Sequence, residues 1–109
     1  MPEESTLHKT NWQVYLIECS DGTLYTGITT DIDRRLYQHA HGEGAKYFRG
    51  RRPQRLMYLE GGHSRSSAGK REIEIKRLTR ADKWSLLASP INELRAAPAA
   101  ARATILADN

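Results

Sequence analysis

From Trp12 to Glu18 the chain alternates, with Trp12, Val14 and Leu16 on one side and Gln13, Tyr15 and Ile17 on the other. A period of two with apolar groups on both sides predicts a strand covered at least partly on each face. Thr23 to Gly27 follows after a Cys19-Ser20-Asp21-Gly22 break. Asp-Gly between apolar runs is a hairpin signal, so the two segments are expected to pair and to bring Tyr15 and Tyr25 near each other. The period then changes. Thr30 with Asp33 three residues on is an approximate capping box, and Asp31 and Asp33 suit the positive end of a helix dipole. The predicted helix runs to about His41 and stops before Gly42-Glu43-Gly44. Ile32, Leu36 and Ala40 form its apolar stripe, which Arg35 and His39 border and Arg34 does not.

Gly44 to Arg52 reads mainly as a loop. Pro53 to Glu60 reads as a third strand, with Leu56, Tyr58 and Glu60 on one side, Met57 and Leu59 on the other, and a Gly61-Gly62 break after it. Ser64 to Leu78 is a second predicted helix, with an apolar stripe of Ala68, Ile75 and Leu78. Glu72 lies on the stripe side, which is unusual because burying a carboxylate requires a partner; Glu74 points largely away. Thr79-Arg80-Ala81-Asp82 repeats the capping pattern and opens a short helix whose apolar side is Trp84, Leu87 and Ala88. Ser89-Pro90 begins another turn. The expected fold is a small α+β domain, a three-stranded, mainly antiparallel sheet flanked by helices. It divides into a disordered tail over 1–10, a folded domain over 11–89 and a helical or frayed C-terminal tail over 90–109.

At 109 residues the chain has room for one domain and one modest core. No apolar run approaches a membrane span or a signal peptide, so no membrane association is expected and the cytoplasm is the default setting. Cys19 is the sole cysteine, which excludes an intramolecular disulfide and a cysteine-based metal site. It reads as a small apolar filler. The net charge is +4, and its distribution matters more than its size. Arg34, Arg35, Lys46, Arg49, Arg51, Arg52 and Arg55 are opposed only by Glu43, with Tyr37, Tyr47 and Phe48 interleaved. Such a stretch suits a nucleic-acid surface or a solubilising loop; phosphates supply affinity and rings stack on bases.

Phenols, a guanidinium and an imidazole gathered in a basic chain suggest phosphate chemistry. Val14-Tyr15-Leu16, then Tyr25-Thr26-Gly27, Arg35, His39 and a later helical glutamate resemble, in that order, the GIY-YIG nuclease superfamily. The likeness is to its small single-domain bacterial members, related to the catalytic domain of the excision-repair nuclease, and it runs from about Trp12 to Leu87. The resemblance implies a metal-dependent endonuclease hydrolysing nucleic-acid phosphodiester bonds in DNA repair or processing, with DNA favoured over RNA and a possible protein partner supplying specificity. It implies that Tyr15 accepts a proton from the attacking water, that Tyr25 bonds near the scissile phosphate and that Arg35 forks onto phosphate oxygens. It further implies that His39 orients the nucleophile or contacts phosphate, and that Glu72 holds Mg²⁺ or Mn²⁺, with Glu74 as the alternative ligand. Gly27 gives the backbone room at the strand end. Lys46, Tyr47, Arg49, Arg51 and Arg52 are assigned to the nucleic-acid backbone, in a loop like that of the stand-alone members. The asparagine that several branches carry on the next helix has Trp84-Ser85-Leu86-Leu87 in its place here, with Asn92 the nearest. A different class of function, a nucleic-acid-binding module with little or no turnover, fits the same scaffold.

Overall fold

The structure is a computed structural model and describes residues 10–42 and 52–95. Strand β1, Trp12–Cys19, is followed by β2, Leu24–Thr29. The turn between them places Gly22 at φ +83°, a conformation that glycine adopts without the Cβ clash other residues meet. Helix α1, Ile32–Ala40, leads toward β3, Pro53–His63. Helix α2 covers Arg65–Lys76 and α3 covers Arg80–Ser85, with a 3₁₀ turn over Leu86–Ala88. The sheet order is β2-β1-β3 and both pairings are antiparallel. The architecture is therefore the α+β arrangement that the periodicities predict.

The local differences from the sequence reading have physical causes. Asp31, not Thr30, caps α1, because its carboxylate accepts from the Arg34 backbone N–H at 3.1 Å. Thr29 instead steadies the approach, its hydroxyl oxygen accepting from the Asp31 N–H at 3.1 Å. Gly61 and Gly62 do not end β3, which continues to His63 with Gly62 at φ +78° and a register shift opposite Trp12 and Val14. The glycines absorb an irregularity rather than stop the strand. His63 closes β3. Ser64 and Thr79 cap α2 and α3, Ser64 in a reciprocal capping box with Ser67. Ala88 is exposed rather than packed, since its helix gives way to a 3₁₀ turn before reaching it.

β1 is the central strand, and Val14 to Ile17 are each 0 % exposed. Its alternation divides the core in two. Val14 and Leu16 pack with Tyr58 of β3 and with Ala68 and Ile75 of α2, bordered by Trp12, Ile28, Leu86 and Leu87. Tyr15, Ile17 and Cys19 pack with Leu56 and Leu59, bordered by Tyr25, by Ile32 and Leu36 of α1, and by Leu94. One helix thus covers each face. Burying each such side chain contributes roughly 1.5–3 kcal/mol.

Candidate active site

Tyr15 sits at the middle of the central strand, opposite Gly27 on β2 and Leu59 on β3. Its phenol lies back across Gly27. A Cβ at position 27 would stand 2.5 Å from Tyr15 Cζ and 3.0 Å from Cε2. The glycine is required for space, since its backbone is ordinary strand.

Helix α1 brings two groups to the phenol. The only fully buried residue of α1 is His39, at 2 % exposure, and its Nε2 lies 2.9 Å from Tyr15 Oη. The sequence reading placed His39 beside the buried stripe; the helix is rotated so that the imidazole itself is inside. Arg35 Nε donates to the same oxygen in a long contact of 3.4 Å, and its Nη1 donates to Gln38 Oε1 at 3.0 Å. A guanidinium has no acceptor, so Tyr15 Oη accepts from Arg35, and its single proton is available to His39 Nε2 in the tautomer that protonates Nδ1. Tyr25 completes the group, with its ring centroid 6.2 Å from that of Tyr15 and 5.5 Å, edge-on, from that of His39.

The electrostatics follow from burial beside a cation. Burial first, then the Arg35 charge, lowers the His39 pKa from 6.5 to about 4, so the imidazole is neutral at neutral pH. Burial pushes the Tyr15 phenol well above its ordinary value of 10.0; Arg35 opposes that shift, while Tyr25 and Glu72 add to it. Tyr15 is thus a protonated phenol already hydrogen-bonded to a base.

Helix α2 packs on β1 and β2, and the charge of its Glu72 acts on the Tyr15 phenol. The Glu72 side chain is 22 % exposed and Oε2 pairs with Lys76 Nζ at 3.2 Å. Glu74 is 66 % exposed and pairs with Arg71 on the outer side. Among the described residues no group of three or more His, Cys, Asp or Glu side chains converges on a point. A single half-buried carboxylate still fits magnesium, which often takes one or two carboxylates and keeps its waters.

Lys46, Tyr47, Arg49 and Arg51 lie outside the described residues. Arg52 is exposed, and its backbone is tied to Ser20 at the β1–β2 turn by bonds of 2.8 and 3.0 Å. That is the end of β1 remote from Trp12.

Three features escaped the sequence reading. Gln38 holds Arg35, a contact that their spacing of three on one helix side could have suggested. Buried Glu60, 6 % exposed, accepts from Tyr58 and from Arg71 Nε at 3.1 Å, and lies against His63 Nε2. Burial pushes the Glu60 carboxyl upward, but the Tyr58, His63 and Arg71 bonds outweigh it and hold the pKa below 4.5. Burial and the Glu60 bond push Tyr58 up to about 12. Asn92, 3 % exposed, is a staple: Oδ1 accepts from the Leu59 N–H at 3.2 Å, and Nδ2 donates to the carbonyls of Leu87 at 3.0 Å and Met57 at 3.3 Å. It fastens the segment after α3 to β3, and these hydrogen bonds go to main-chain groups rather than to the Tyr15 phenol. No sequence signal marks it, because all its partners are main-chain groups.

Comparison with known proteins agrees with this geometry. Residues 11–85 match the GIY-YIG catalytic domain model. A UPF0213 protein of Halobacterium salinarum is 56% identical over 73 residues, covering 67% of this chain and 95% of its own. One from Halalkalibacterium halodurans is 49% identical over 77 residues, covering 71% and 82%. The solution NMR structure of a protein from E. faecalis, 40% identical, superposes with a TM-score of 0.51 over 72% of this chain and 83% of that one. The match covers the sheet, both main helices and every residue gathered around Tyr15, and the chain belongs to the GIY-YIG family.

Proposed function

We propose that this protein is a metal-dependent endonuclease that hydrolyses nucleic-acid phosphodiester bonds, DNA ahead of RNA, in repair or processing within the cytoplasm. GIY-YIG membership carries the coarser part, a nuclease-like function on nucleic acid with general dependence on divalent metal. The observation that supports the finer reading is the Tyr15 phenol held between His39 Nε2 and Arg35 Nε.

In this reading a water attacks the phosphorus while Tyr15 Oη takes its proton, and the bridging P–O bond opposite breaks, its departing nucleoside oxygen taking a proton from solvent. Tyr15 passes its own proton to His39 Nε2, so no free phenolate has to accumulate. Such a relay suits a phenol whose burial opposes ionisation. His39 is a weak base in the free protein partly because of Arg35; a phosphate anion beside Arg35 offsets that charge and strengthens the imidazole. Arg35 stabilises charge developing on the phosphate oxygens, with Gln38 restraining the guanidinium. Tyr25 and His39 position the groups. Glu72 would hold Mg²⁺ or Mn²⁺, which when bound supplies Lewis-acid stabilisation of the phosphate charge.

The second reading, a binding module with little turnover, is favoured by the Lys76 pair on Glu72 and by the height of the Tyr15 pKa. One assay separates the two. Purified protein is incubated with single-stranded, duplex and branched DNA and RNA in Mg²⁺, Mn²⁺ or EDTA. Metal-dependent cutting that Arg35→Ala abolishes supports the enzyme, and tight binding without cutting supports the module.

A further inference from the structure

A cleft of about 230 Å³ opens beside Arg35, where β2 hands the chain to α1. It is lined by Trp12 and Ile28 from the sheet, by Arg34, Arg35 and Gln38 from α1, and by Asp31 at the N-terminal end of that helix. We propose that this cleft is a subsite for one unpaired nucleotide adjoining the scissile phosphate. The protein then acts on single-stranded or frayed nucleic acid in preference to intact duplex. The inference rests on the nuclease reading for its orientation, and names the substrate class of that site.

The lining states its ligand in three ways. The cleft is smaller than the roughly 300–1,000 Å³ of sites for drug-sized ligands, so it holds one ring system. Its Trp12–Ile28 side offers an indole and a branched alkyl group, surfaces on which any base can lie without regard to sequence. The Arg65 guanidinium already sits over the Trp12 ring at 5.8 Å, which adds positive charge to that wall. Its α1 side offers two guanidinium groups for phosphate. Gln38 Oε1 is committed to Arg35, so its NH₂ is the group that faces a base edge or a sugar.

Asp31 sets the direction. Its carboxylate caps α1 through the Arg34 N–H and repels phosphate from that end. The phosphate therefore belongs at Arg35, next to Tyr15, and the base belongs against Trp12. A base inside a duplex is stacked on both sides and cannot enter a one-ring cleft; it must first leave the stack. A frayed end, a flap or a single strand has already met that cost.

The test reads Trp12 directly. The chain has two tryptophans, so Trp84→Phe leaves Trp12 as the sole indole. This variant is titrated in EDTA, where metal-dependent cutting is off, with a thymidylate pentamer and separately with a blunt hairpin duplex. The pentamer should quench Trp12 saturably and the duplex should do so at least fivefold more weakly. Trp12→Ala should weaken pentamer binding by roughly five- to hundredfold, the range that losing one base stack produces. Because Trp12 also touches the core, base-to-indole NMR cross-peaks on the unaltered protein provide a second measure. Equal quenching by the duplex, binding that leaves Trp12 unchanged, or no binding of the pentamer overturns the subsite. Cutting of intact duplex but not single strand overturns it too, and leaves the nuclease reading standing. Quenching by the pentamer in a protein that cuts nothing keeps the subsite and removes the nuclease.

Discussion

Gly27 and Tyr15 face each other across β1 and β2, and the phenol fills the space that a side chain at position 27 would need. The second half of the family motif thus acts sterically on the first. Without a Cβ at 27, Tyr15 can lie back far enough to reach His39 and Arg35. Gly27→Ala is expected to displace the phenol and to lower cleavage by about tenfold or more, with a stability loss of roughly 1–3 kcal/mol from overpacking. Gly69 is the control. A Cβ there meets nothing within 4 Å, and Gly69→Ala should stabilise α2 by roughly 0.5–1 kcal/mol without touching activity. Thermal melts beside cleavage rates check both; an active Gly27→Ala protein would show that the Tyr15 position is not critical.

Arg35→Ala should reduce cleavage by roughly 10²-fold or more with little change in melting temperature, since it removes charge stabilisation in the transition state. Arg34 is exposed and does not touch Tyr15. Arg34→Ala should raise KM modestly and leave kcat nearly unchanged. Steady-state kinetics on both variants decide, and equal losses of kcat would remove the special role of Arg35.

Glu72→Gln keeps the side-chain volume and removes the charge. Folding should survive, because the Lys76 partner is half exposed and such a pair contributes under about 1 kcal/mol. Nucleic-acid binding should persist or strengthen while cleavage collapses. Glu74→Gln, on the outer side, should stay active. Loss of activity in Glu74→Gln alone would transfer the metal ligand to Glu74.

His39 provides a pH dependence with a defined sign. Its pKa falls from 6.5 unfolded to about 4 folded, so the unfolded chain binds the proton more readily. Stability from this group is complete above pH 6.5 and is lost as pH falls toward 4. Glu60, held below 4.5, adds its own loss only under more acid conditions. Between pH 6.5 and 4.5 the decline therefore belongs to His39 and should be absent in His39→Leu. Chemical denaturation across that range tests it, and an NMR titration of the imidazole should give a midpoint of about 4.

The sequence alone determined the elements and the class of fold. Period-two alternation, the Asp-Gly turn and the serine and threonine caps are local signals. They locate the hairpin, the third strand and the helices to within a few residues. The resemblance to the family motif singled out the ordered set Tyr15, Tyr25, Gly27, Arg35, His39 and Glu72, and helical phase favoured Arg35 over Arg34 and Glu72 over Glu74. Only the tertiary structure decided how these groups meet. The rotation of α1 that buries His39 depends on how Ile32 and Leu36 seat against the sheet, and no single helix period records that fit. The hydrogen bonds that join Tyr15 to His39 and Arg35 span up to 24 residues of chain and exist only once strand and helix pack. Glu60 and Asn92 show the same limit from the structural side. A buried carboxylate and a buried amide look like surface residues in a sequence until the partners that satisfy them are brought in from elsewhere in the chain.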